Sequence, residues 1–102
     1  MMKQAACFEI EAAIKHLLRS VLKVDPAVID ASHSGTPLLG RGIGLDSIET
    51  MALVLAIEEE FGISVADSDL TVHLFENIET LAEYILHKVA ETSRSQMVDS
   101  AR

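Results

Sequence analysis

Tryptophan is absent from this chain of 102 residues, and aromatic residues of all kinds make up only 4% of it. The core must therefore be aliphatic, drawn from the 49% of residues that are hydrophobic. That composition suits packed helices better than a β-sandwich. There is a single cysteine, Cys7, which excludes an internal disulfide framework and fits a reducing compartment. It lies in an apolar helical pattern, where a thiol behaves as a small hydrophobe. No apolar run reaches the roughly 18 residues of a membrane span. The start Met-Met-Lys-Gln lacks the apolar stretch of a signal peptide. The expectation is a cytoplasmic monomer with one domain over 1–90 and a flexible polar tail over 91–102.

Positive charge is missing most unevenly. Between positions 42 and 87 there is no Lys or Arg, but there are ten acids: Asp46, Glu49, Glu58, Glu59, Glu60, Asp67, Asp69, Glu76, Glu79 and Glu83. The rest of the chain is close to balanced, so the net charge of −8 belongs to this stretch. Such a field repels nucleic acid and anionic lipid and attracts basic protein surfaces. Solubility alone would also explain it.

What is present is helical periodicity. Cys7, Ile10, Ile14, Leu17, Leu18 and Val21 recur at i, i+3, i+4 spacing over about Ala5–Val24, with Glu9, Glu11, Lys15, Arg19 and Lys23 off that face; this is an amphipathic helix. Asp25-Pro26 is expected to end it. A long connection over 25–45 follows, rich in Gly and Ser but carrying Val28, Ile29, Leu38, Leu39, Ile43 and Leu45. Apolar anchors in a loop imply that it is ordered.

The next helix is expected over Ser47–Phe61, with Asp46 as N-cap, Glu49 completing a capping box and Gly62 as the stop. Leu53, Val54, Ile57 and Phe61 share one face; Ile48, Met51, Ala52 and Leu55 share another. A domain this small does not easily bury a helix all round. One stripe should face the core and the other should be at least partly exposed, as a docking surface would be. A short helix or turn is expected near Asp67–Leu74 and a last helix over about Ile78–Ala90, capped by Asn77. The fold class is all-α: a bundle of three main helices plus one short helix, with a long ordered loop between the first and second main helices.

Ser47 stands out chemically. It is a hydroxyl in a first helical turn, at the mouth of a Gly-rich loop, where the amide N–H groups and dipole favour an adjoining phosphodiester. It is open to a modifying enzyme, or it is simply a helix-start serine that helps to cap. A hydrolase nucleophile is excluded by its flanks: a nucleophile elbow needs G-x-S-x-G after a strand, and His16, His33, His73 and His87 lie in no recognisable catalytic setting. Asp67-Ser68-Asp69-Leu70-Thr71 imitates the start of an EF-hand loop, but Val72 replaces the required glycine and Ile78 the closing Glu.

The stretch from Leu38 to Val89 resembles the acyl carrier protein family. Gly44-Leu45-Asp46-Ser47-Ile48 is similar to the family's G-x-D-S-[LI] motif. Ile57-Glu58-Glu59-Glu60-Phe61-Gly62-Ile63 is similar to the segment that follows it, and Leu74-Phe75-Glu76-Asn77-Ile78-Glu79-Thr80-Leu81-Ala82 to the lead-in to the last helix. The resemblance implies a non-catalytic carrier. A phosphopantetheinyl transferase, using coenzyme A and Mg²⁺, would place 4′-phosphopantetheine on Ser47, and the arm's thiol would carry acyl groups as thioesters. It also implies a docking surface of Asp46, Glu49, Glu58 and Glu59 around Ile48, Met51 and Leu55. The partners would be acyl-ligase, ketosynthase or acyltransferase enzymes of fatty-acid, polyketide or related lipid synthesis. Ala52 and Arg41-Gly42 depart from the family by removing acids near Ser47, which points to a stand-alone carrier for a specialised pathway. The alternatives are a peptidyl or aminoacyl carrier and an unmodified acidic helical adaptor.

Overall fold

The computed structural model describes the backbone of residues 2–100 and the side-chain environment of residues 7–92. Helix α1 spans Met2–Ser20, α2 Pro26–Ala31, α3 Ser47–Phe61 and α4 Ile78–Ser100, with 3₁₀ turns at Asp67–Asp69 and Val72–Phe75. Among the described residues there is no strand beyond one isolated bridge, Leu39 to Leu45. The all-α bundle of three main helices is as expected, with 3₁₀ turns where a short helix or turn is expected and one further short helix, α2.

That short helix, α2, lies inside the connection read as loop. The Asp25 carboxylate accepts the Ala27 N–H at 2.9 Å, and Pro26 occupies the first helical position. A proline there costs no hydrogen bond, and its fixed φ suits the helix. Asp-Pro is thus the start of α2 rather than the stop of α1. Helix α1 ends earlier, at Ser20, where the chain turns through Lys23 at φ 59°. Val21, expected on the inward face, therefore lies past the helix and is exposed. The stretch near Asp67–Leu74 forms two 3₁₀ turns, as befits runs too short to complete an α-turn. Helix α4 continues to Ser100, past the expected end at Ala90. Of the segment read as a tail, side chains from position 93 onward lie outside the described residues.

The core joins all three main helices and the connecting loop. Ile14 and Leu18 of α1, Leu38 of the loop, Leu53 and Ile57 of α3, and Ile78 and Ile85 of α4 are the largest fully buried side chains. No polar or charged residue is buried among the described residues, so burial of aliphatic surface supplies the stabilisation, at roughly 25 cal/mol per Å². Polar groups act at the margins. Ser34 donates to Glu11 Oε1 at 2.7 Å, and Lys15 Nζ donates to the Ser32 carbonyl at 3.2 Å, strapping the loop to α1. The same loop satisfies the start of α4: Glu79 N–H bonds to Ser34 O at 2.9 Å and Ile78 N–H to Thr36 O at 3.2 Å. Asn77 Oδ1 completes the cap through the Thr80 N–H at 2.7 Å.

Candidate functional site

The loop that leads into α3 closes on itself. Ile43 N–H bonds to Pro37 O at 2.8 Å and Leu45 N–H to Leu38 O at 3.0 Å. Closure brings the chain so near Pro37 that a Cβ on Gly42 would lie 1.8 Å from the Pro37 carbonyl oxygen. Gly44 then reverses the chain at φ 81°, a conformation glycine adopts without steric cost. Leu45 is buried, and the chain emerges at Asp46.

Asp46 starts α3 with a full capping box. Its Oδ1 accepts the Glu49 N–H at 2.7 Å, and Glu49 Oε1 accepts the Asp46 N–H at 3.1 Å. The N–H groups of Ser47 and Ile48, in the first turn, have no intrahelical acceptor. Ser47 itself is exposed. Its neighbours Asp46 and Glu49 are carboxylates committed to the cap rather than to the Ser47 hydroxyl.

Ser47 sits at the mouth of a cleft of about 380 Å³. Leu39 and Leu45 of the loop form one side, and Asp46, Ser47, Thr50 and Met51 of α3 another. Leu70, Thr71, Val72 and Phe75, from the 3₁₀ turns and the link between them, complete it. The interior is apolar, with hydroxyls only from Ser47, Thr50 and Thr71. Histidine is absent from this lining. Among the described residues no group of His, Cys, Asp or Glu is arranged to hold a metal ion.

The two faces of α3 separate as their spacing predicts. Leu53, Val54 and Ile57 are buried, while Ile48 is 81% exposed, Leu55 59% and Met51 47%. These three form an apolar stripe running from Ser47 down the helix. Val72, 78% exposed across the cleft, extends the apolar surface beyond α3. Glu59 and Glu60 are exposed at the far end of the stripe. Glu58 is differently placed: half-buried, it accepts the Val65 N–H on Oε2 at 2.7 Å and so caps the turn after α3.

The structure thus places Asp46, Ser47, Ile48 and Glu49 at the start of α3, with Met51 and Leu55 about one and two turns further along it, both exposed. Sequence reasoning missed the opposite wall of the cleft. The sequence offers Leu70 as an apolar contact of a short helix or turn, but nothing local places it or Val72 beside Ser47.

An arm joined through a phosphodiester fits this geometry. The first turn of α3 leaves amides without intrahelical acceptors beside the hydroxyl, and an apolar cleft adjoins it. The group would be held through Ser47, with the Ser47 and Ile48 N–H groups beside its phosphate.

Comparison with known proteins follows the same lines. The description "Phosphopantetheine attachment site" matches residues 12–85. An acyl carrier protein of Thermosynechococcus vestitus is 27% identical over 82 residues, covering 80% of this chain and 94% of that protein. No solved structure matches the chain at a significant level.

Proposed function

The chain belongs to the acyl carrier protein family, whose prosthetic group is covalently attached 4′-phosphopantetheine, and from that premise we propose that Ser47 is the attachment residue. The observation that carries this is the exposed Ser47 hydroxyl, in the first turn of α3 and at the mouth of an apolar cleft. In the loading reaction the Ser47 oxygen attacks the phosphorus of coenzyme A that bears the pantetheine. The bond to the adenosine bisphosphate breaks, that fragment leaves, and the serine proton passes to a base on the transferase.

When attached, the arm supplies a terminal thiol that carries acyl groups. The protein's own residues do the rest. The capping box fixes the direction in which Ser47 projects, and the first-turn amides steady the phosphodiester. The cleft excludes water from an apolar group folded back into it. The chain performs no catalysis of its own in this reading. The exposed stripe of Ile48, Met51 and Leu55, rimmed by Asp46, Glu49 and Glu59, offers a partner an apolar centre with an acidic rim. Glu58 contributes charge to that rim only secondarily, since its carboxylate serves the Val65 amide.

The partners are a phosphopantetheinyl transferase and acyl-handling enzymes with basic docking surfaces. Arg41, next to Gly42 on the loop before Ser47, supports a carrier dedicated to one lipid or polyketide pathway over a general one, and a cytoplasmic place of action goes with it.

Intact-mass measurement after incubation with coenzyme A and a broad-range transferase tests the assignment. One added phosphopantetheine is expected, absent in Ser47→Ala. No adduct, or one that survives the substitution, overturns it. The cargo found on the thiol in protein from its native cell distinguishes acyl from aminoacyl carriage.

A further inference from the structure

The cleft beside Ser47 has two walls of different stiffness. The α3 wall is fixed by its capping box and by Leu53 and Val54 in the core. The opposite wall, Leu70–Val72, belongs to a stretch whose backbone hydrogen bonds run within itself. Asp69 N–H bonds to Ala66 O, Leu70 N–H to Asp67 O, Thr71 N–H to Asp69 O and Leu74 N–H to Thr71 O. Among the described residues none of these reaches a helix of the bundle. Asp67, Ser68, Thr71 and Val72 are exposed, and of this part of the stretch only Leu70, half-buried, packs against the core. It is fastened near its ends: Val65 by the Glu58 carboxylate, Phe75 by its own burial and by its carbonyl, which accepts the Leu38 N–H at 3.3 Å.

Besides the packing of Leu70, the middle is tied to the bundle, among the described residues, by a side-chain hydrogen bond from the Tyr84 hydroxyl of α4 to Asp69 Oδ2 at 2.7 Å. The Tyr84 ring is half-buried, and Lys88 Nζ, one turn further along α4, lies 5.8 Å from its centroid. Burial first, then the carboxylates of Asp69, Glu91 and Glu58, push the phenol well above its ordinary range. The hydroxyl therefore remains a donor at any pH where the protein would work.

We propose that Tyr84 and Asp69 form a latch that sets the width of the cleft: they hold the Leu70–Val72 wall against α3 and so decide how bulky an apolar group is enclosed beside Ser47. Both are positioning residues. Leu70 follows Asp69 directly, so a carboxylate that swings outward takes the wall with it. A segment whose bonds are local and whose surface is exposed opens at lower free energy than the helices around it. The role in cargo enclosure rests on the carrier reading; the role in cleft width does not.

Tyr84→Phe tests it, because the ring and its packing stay while the donor is lost. In methyl NMR spectra of the protein without its arm, the Leu70, Val72 and Met51 signals are expected to shift and broaden, with Ile14 and Leu18 unchanged. In protein loaded with a medium-length acyl group, the half-life of the thioester towards hydroxylamine should fall about three- to ten-fold, the effect of one ordinary hydrogen bond. Asp69→Asn, which keeps an acceptor oxygen, should retain most of the protection. Cleft methyls indistinguishable from wild type, or core methyls that move as much, would overturn the latch. A wild-type protein that takes up no arm would instead defeat the carrier reading, and the methyl spectra would still decide the latch.

Discussion

Gly42 carries a larger structural burden than its position in a loop suggests. Any side chain there meets the Pro37 carbonyl oxygen, whose own bond to the Ile43 N–H closes the loop that delivers Ser47. Gly42→Ala should therefore destabilise the fold by about 2 kcal/mol or more, lowering Tm by about 10 °C. A thermal melt of the purified variant checks this. Arm uptake should slow as well, because the displaced loop precedes the modified turn. At this scale much of the site was legible. Asp46 and Glu49, on either side of Ser47, are joined by hydrogen bonds spanning three residues, so their sequence spacing is nearly their geometry. Glu58 was legible only as a surface acid. Its bond to Val65 depends on how the chain turns after Gly62, which no local rule reveals.

Helix α3 divides its labour between two stripes. Leu53 is fully buried, whereas Leu55, two positions on, is 59% exposed. Leu53→Ala should cost about 2–5 kcal/mol, the range for truncating a leucine in a packed core. Ile48→Ser and Leu55→Ser should leave stability within about 0.5 kcal/mol of wild type yet slow arm uptake by the transferase. Denaturant midpoints beside loading rates separate the two effects. If the serine variants were as unstable as Leu53→Ala, the stripe would be core rather than surface. The presence of two apolar faces could be read from the sequence. Which face was inward followed from where α1 and α4 lie. Helix α2 was missed for a different reason: Asp25-Pro26 serves equally well as the end of one helix and the start of another, and only the Asp25 bond to Ala27 distinguishes them.

The whole molecule combines a largely aliphatic core with acidity concentrated between positions 42 and 87. Tyr84 ties an ionisable group into the fold, and its titration is clearly displaced. Its phenol is raised from an ordinary value near 10, so the folded state holds that proton more tightly than the unfolded chain. Tyr84 thus adds no pH dependence to stability below about pH 10. Above it the unfolded chain ionises first, and the stability from this group should fall as pH rises further. Urea midpoints from pH 8 to 11 should show that fall, and Asp69→Asn should weaken it. An ultraviolet titration that finds the phenol ionising near 10 in the folded protein would contradict the close Tyr84–Asp69 contact.

The sequence alone determined the helical class, the limits of α3, the face of each helix that could be apolar, and the concentration of acid between 42 and 87. Each of these depends on residues within about one or two turns of each other, where the 3.6-residue period and capping bonds act. Tertiary structure alone decided that Ser47 opens onto an apolar cleft, that Val72 and Met51 both line it, that Glu58 is spent on a turn, and that Tyr84 reaches Asp69. Those side chains come from the loop, α3, the 3₁₀ turns and α4. Their approach is set by how the fully buried residues of separate helices pack together, a sum of many weak non-directional contacts that leaves no period in the chain.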